Sequence, residues 1–194
     1  SSDVCSSDLD VRKLELKIND EALTTKVSKD FSEYLTNNAG IDFEENERKI
    51  IAHLRKNSLI PKNFDIVFMS EKDIPVGATK YPAPMVLHSR PELTGSDLRY
   101  IYATIDQERP VISFETTSIG ANKLKKATGA NNKGKHLAIV FDQRVISMPA
   151  INEPILDGRG LIDGNFTPKE AKDVADLITW GALPVPVKIL KHPP

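Results

Sequence analysis

The 194-residue chain is predicted to fold as a mixed α+β protein, and three observations predict it. Residues 11–19, VRKLELKIN, place Leu14, Leu16 and Ile18 at every second position between charged neighbours, the period of a half-buried strand. From Asp20 the period lengthens, with Leu23, Val27, Phe31 and Leu35 four apart on one helical face. Beyond residue 110, short runs rich in Val, Ile and Phe alternate with helical stretches.

Taken in order, the elements follow from local chemistry. The first helix runs from Asp20 to NNAG, where Gly40 fits a C-cap. Asp42 opens a second helix, with Glu45 three residues on as in a capping box, an apolar stripe of Phe43, Ile50, Ile51 and Leu54, and Pro61 just past its end. FDIVFMS (64–70) reads as a strand, residues 73–84 with three prolines and a glycine as a loop, and MVLHS as a short strand. ELTGSDLRYIYATID reads as a turn and a short helix. PVISFET (110–116) is a strand and residues 118–131 a helix. HLAIVFD (136–142) and RVISMPAIN (144–152) form a hairpin turning at Asp142-Gln143. LIDGNF adds a short strand, TPKEAKDVADLITWGA a helix, and VPVKIL a last strand. From Pro110 this is β-α-β-β-α-β, the ferredoxin-like order with two helices on one face of an antiparallel sheet. The character changes near Pro91. The expected division is a tail over 1–10, a first base strand over 11–19, an inserted α/β head over 20–90, and a ferredoxin-like base over 91–194.

Composition narrows the function. Lys plus Arg number 26 and Asp plus Glu 27, a net charge of −1, so no basic excess points to nucleic acid or an anionic membrane surface. No apolar run approaches the roughly 18 residues of a membrane-spanning helix. The single cysteine, Cys5, forms no internal disulfide. The repetitive opening SSDVCSSDLD reads as a non-native tail and is set apart from the fold. With no initiating methionine and an abrupt KHPP end, the chain reads as a fragment.

The stretch GRGLIDGNFTPKEA poses the main chemical question. Its spacing, Gly158-x-Gly160-x-x-x-Gly164, is one residue longer than a dinucleotide fingerprint, and the helix begins only past the glycines. Thr167 fits an N-cap, Pro168 the first helical position, and Glu170 completes a capping box. The glycines are therefore read as structural turns. A ferredoxin-like enzyme, or a small-ligand or anion-binding module of that fold, is the alternative. Asn165-Phe166-Thr167 is a glycosylation sequon, which the Thr167 cap explains without a glycan. His53, His88, His136 and His192 share no ligand spacing, so no metal or cofactor is expected. Ser113 lacks a nucleophile-elbow setting, and Asp157 and Asp163 flank turns. No catalytic constellation emerges, and the chain is read as a non-enzyme. Trp180, at a helix end, reads as a packing anchor.

Four segments resemble the SecD family of protein-export subunits: LTGSDL (93–98), PVISFE with GANKLKKAT, GKHLAIVFDQRVISMPAINEPI (134–155), and GRGLIDGNFTPKEAKDVADLITWGALPVPV (158–187). The matching positions singled out are Gly95, Pro149, Gly158, Gly160, Gly164, Phe166, Gly181, Leu183 and Pro184. KLELKIND (13–20) also resembles the family's LEFRLVDD-like strand. The resemblance is strong over 91–187 and weak over 20–88. It implies the large extracytoplasmic domain of a bacterial inner-membrane subunit, with a mobile head on a ferredoxin-like base. The implied partners are translocating preprotein, SecF and the SecYEG channel, with no nucleic acid and membrane contact only through helices outside this fragment. It further implies that the proton-carrying residues lie in those helices.

Overall fold

The computed structural model describes residues 14–69 and 81–181. Strand β1 (Leu14–Ile18) is followed by helices α1 (Glu21–Asn37) and α2 (Phe43–Asn57), then β2 (Phe64–Met69), β3 (Pro84–His88) and β4 (Leu93–Thr94). A 3₁₀ turn, Gly95–Asp97, leads into β5 (Leu98–Asp106) and β6 (Arg109–Thr116). Helix α3 (Ser118–Ala127), the hairpin β7 (Leu137–Phe141) and β8 (Arg144–Ser147), β9 (Arg159–Ile162) and α4 (Pro168–Gly181) follow among the described residues.

The helices start where their side chains cap them. Asp20 accepts from the Leu23 N–H at 2.9 Å and Asp42 from the Glu45 N–H at 3.0 Å, satisfying donors that the first turn leaves open. α1 ends at Asn37 with Asn38 as C-cap, two residues before Gly40, which carries the positive φ of 81°. The β7–β8 turn falls at Asp142-Gln143 as the sequence indicated, both residues at positive φ.

Six strands form one sheet in the order β3-β2-β8-β7-β1-β4, and three form another, β5-β6-β9. The larger sheet curls until it meets itself. β1 pairs with β7 on one edge, and on the other with the stretch that carries β3 and β4. The Glu92 N–H donates to Leu16 O at 2.8 Å, the Asp20 N–H to Val86 O at 2.9 Å, and Asn19 bridges Leu87. Because β3 also pairs with β2, the strands β1-β7-β8-β2-β3 close into a small barrel. Its inward positions are Leu87, Ala138, Val140 and Val145, all buried against one another. Outward residues supply two further cores. Val27, Phe31, Phe43, Ile50 and Leu54 of α1 and α2 cover β2 and β3. Leu14, Leu16, Ile18, Leu137 and Ile139 face the smaller sheet, with α3 and α4 closing the sides.

Two expectations change, the shared sheet and the short helix after LTGSDL. From β6 onward the predicted elements occur in the predicted order, but they do not share one ferredoxin-like sheet. β6 pairs with β5 and β9, whereas β7 and β8 belong to the barrel. The short helix expected after LTGSDL is instead β5, whose hairpin with β6 turns at Gln107-Glu108, φ 45° and 65°. Across the division expected at residue 90, β2 pairs with β8, and Leu87 of β3 bridges Asn19 after β1. The expected VPVKIL strand and the tail lie outside the described residues.

Candidate functional site: an apolar groove beside β9

Three of the glycines singled out in the sequence, Gly158, Gly160 and Gly164, lie in and beside β9. Gly158 holds a φ of 71°, and a Cβ there would overlap the Thr116 Oγ1 and stand 2.7 Å from the Ala121 Cβ. Its carbonyl accepts from both the Thr116 N–H and the Thr116 hydroxyl, each at 2.9 Å. Only glycine combines that conformation with that approach of α3. At Gly160 the close neighbour is the Phe114 ring, whose Cζ would lie 2.5 Å from a Cβ. Gly164 is not at positive φ. It is crowded by Phe166, Cε2 at 2.8 Å from the position of a Cβ, with the Ile146 carbonyl oxygen 3.3 Å away.

Of the three, Gly160 borders an apolar groove of about 150 Å³ between β9 and the stretch 149–155. Leu16, Phe114, Leu124, Ile139, Pro149 and Ile151 supply its walls, and Glu153 is its one charged lining residue. The wall is fixed by hydrogen bonds. The Leu137 N–H donates to Pro149 O at 3.0 Å and the Ile151 N–H to Lys135 O at 2.8 Å. The Thr128 hydroxyl donates to Leu124 O and accepts from the Ile155 N–H, each at 2.8 Å. Beside it Leu156 stands two-thirds exposed. Apart from Thr128, Asn152 and Glu153 its lining side chains are apolar, the character of sites that take apolar groups.

Gly95 sits apart, in the 3₁₀ turn, where a Cβ would meet only the Leu14 Cβ, 3.9 Å away. That turn is held by Asp97, 5% exposed, which accepts from the Thr94 N–H at 3.0 Å and from Lys123 Nζ at 2.7 and 2.9 Å. Gly120 lets α3 lie against the Asp97 carbonyl oxygen. Sequence reasoning missed this clamp, because Asp97 and Lys123 are 26 residues apart and neither belongs to a motif that pairs them. Gly181 ends α4, and Leu183 and Pro184 lie outside the described residues.

The start of α4 is occupied by its own side chains. The Glu170 N–H donates to Thr167 Oγ1 at 3.3 Å, and the Thr167 N–H to Glu170 Oε2 at 2.9 Å, a capping box that leaves less of the helix end for an anion. Among the described residues no three His, Cys, Asp or Glu side chains cluster as metal ligands, and no helix is long and apolar enough to cross a membrane. A second, polar pocket of about 380 Å³ opens at one end of the barrel, where Lys17 lies between Glu15 and Asp65, 3.0 Å from each. Burial lowers the affinity of Lys17 for its proton. The hydrogen bonds and charges of the two carboxylates more than offset this, and its pKa stands above the usual 10.5.

A family model described as the SecDF P1 head subdomain matches residues 67–185, from β2 through α4. The chain belongs to this SecDF family. The protein translocase subunit SecD of Rickettsia bellii is 34% identical over 149 residues, 74% of this chain and 28% of that protein. SecD of Aquifex aeolicus is 42% identical over 108 residues, 55% of this chain and 21% of that protein. This chain therefore spans about a quarter of the curated relatives it matches. Two solved structures agree in fold and sequence. SecDF in its super-membrane-facing form has a TM-score of 0.54 at 29% identity, covering 93% of this chain and 20% of that one. The membrane component SecDF that enhances protein export has a TM-score of 0.53 at 28% identity, covering 94% of this chain and 69% of that one. The P1 range takes in the barrel hairpin, the smaller sheet and the whole of β9.

Proposed function

We propose that this chain is the extracytoplasmic part of a SecD-type subunit of the bacterial inner membrane. On this reading it assists proton-motive-force-driven translocation of preprotein through the Sec channel by contacting the emerging polypeptide. SecF and SecYEG are partners of the whole subunit, and the contribution of this part is binding, with no catalytic step. The observation that carries the proposal is the family match over 67–185. The apolar groove beside β9 supports it, because an unfolded chain presents apolar side chains that a folded protein hides.

The unit that would move during export is drawn differently from the division at residue 90. Moving 20–90 against a base of 14–19 and 91–181 would break the β2–β8 ladder and the closure of β3 on β1. We therefore take the barrel and its α1–α2 layer as moving together.

A photo-crosslinking residue at Leu156 in the full subunit tests the reading during active export. Adducts with preprotein are expected, and they should vanish when export is blocked before the chain reaches the channel exit. Absence of any preprotein adduct there and at Glu153 would sink the proposal.

A further inference from the structure

Among the described residues the smaller sheet keeps one long edge unpaired. β5 spans nine residues and pairs only with β6 among the described strands. The ladder shows which of its backbone groups point outward. The Thr116 N–H is bonded to Gly158 O, so the even-numbered residues of β6 turn their backbone groups to β9 and the odd-numbered ones to β5. Tyr102 and Thr104, opposite Ser113 and Val111, thus spend their N–H and C=O groups on β6. Ile101, Ala103 and Ile105 point theirs away from the sheet. Those three residues also line a groove of about 410 Å³ between this edge and α4, completed by Pro110, Ala171 and Lys172.

We infer that an extended polypeptide segment adds to β5 as a further strand, seating alternate side chains in the groove between β5 and α4. This deepens the proposed polypeptide contact and rests on that reading. The chemistry of the edge chooses the occupant. Three N–H and C=O pairs repeating every second residue complement another strand, whatever its sequence. The floor of Ile101, Ala103, Pro110 and Ala171 is apolar. Lys172 on the groove wall pairs with Asp176, so no fixed cation remains there to draw phosphate or nucleic acid. The neutral complement is an uncharged, extended stretch of chain. Ile105, 60% exposed at the end of the groove, is the side chain such a segment would cover.

The test uses the 194-residue chain with two probes, a reduced and carboxymethylated unfolded protein and a short peptide alternating valine and serine. Saturating peptide is expected to slow hydrogen exchange at the amides of Ile101, Ala103 and Ile105 at least about tenfold, leaving Tyr102 and Thr104 unchanged. Ala103→Pro removes an outward N–H without touching the β6 ladder, and Ile105→Lys places a charge at the groove. Each should weaken both probes at least about tenfold at an unchanged Tm. Equal affinity in both variants, or protection elsewhere, would overturn strand addition at β5 while leaving polypeptide contact standing. The same holds if the edge proves to be covered, either by a second copy in sedimentation or by residues 182–194, so that binding appears only on their deletion. Failure of the unaltered chain to bind the unfolded protein at millimolar concentration would overturn both proposals.

Discussion

Lys17 of β1 and Asp65 of β2 meet at 3.0 Å although their strands share no ladder in the barrel. Glu15 stands on the other side of the ammonium at 3.0 Å, and the Ser89 hydroxyl donates to the second Asp65 oxygen at 2.8 Å. The Lys17 side chain is only 7% exposed, so its charge depends on these partners. Lys17→Met should cost about 1–3 kcal/mol at neutral pH, because it leaves two carboxylates without their shared partner. The raised pKa sets the sign of the pH dependence. A proton held more tightly when folded stabilises fully below the ordinary 10.5, and that contribution fades as pH rises through the folded value. Urea denaturation of both proteins from about pH 7 to 11.5 should show a constant gap that narrows only above about 10.5. A gap independent of pH would show that the charge is not what Lys17 contributes.

Gly158 and Gly134 both hold positive φ, 71° and 82°, yet differ in surroundings. Nothing lies within 4 Å of a Cβ on Gly134, whereas one on Gly158 meets Thr116 and Ala121. Gly134→Ala should therefore cost about 1 kcal/mol, the conformational penalty alone. Gly158→Ala adds overpacking against α3 and should cost about 3 kcal/mol. Thermal melts of the two variants compare them directly. Equal losses would mean that α3 yields without cost.

The sequence disclosed elements whose signals are local. Period and caps placed α1 and α2, and Thr167 and Glu170 placed the start of α4. It disclosed too little of β5, because Tyr100 and Tyr102 on the outer face and Ile101 and Ala103 on the inner face blur the alternation. The turn that follows uses Gln107-Glu108 at positive φ without glycine or asparagine, so no turn signal announces it. Closure of the barrel was illegible, since it depends on Asn19 meeting Leu87, far along the chain, rather than on any motif. The glycines were recognised as a group, but the reason for each, a left-handed φ, a ring or a helix approach, appears only in three dimensions.

Asp97 joins the 3₁₀ turn to α3 through Lys123 and the Thr94 N–H. Asp97→Ala should cost about 2–3 kcal/mol by orphaning the Thr94 amide and removing the partner of Lys123. Lys123→Ala should cost about 1 kcal/mol or less, because the lysine is 47% exposed and its pair is screened by water. Chemical denaturation gives both numbers. A larger loss at Lys123 than at Asp97 would contradict the assignment of Asp97 as the buried anchor.

Gly164 and Phe166 form the last coupled pair. A valine at Gly164 would be strained by steric contact and not by backbone conformation, because Gly164 lacks the positive φ that would bar a side chain. The obstacle is the Phe166 ring, 2.8 Å from the position of a Cβ, and a ring can be shortened. Gly164→Ala alone should cost about 1–2 kcal/mol through displacement of the ring. In a Phe166→Leu background the same change should cost about 1 kcal/mol less, a coupling that a double-mutant cycle in urea resolves. Strictly additive losses would place the strain instead at the Ile146 carbonyl oxygen, 3.3 Å from the same Cβ position, where no side-chain substitution could relieve it.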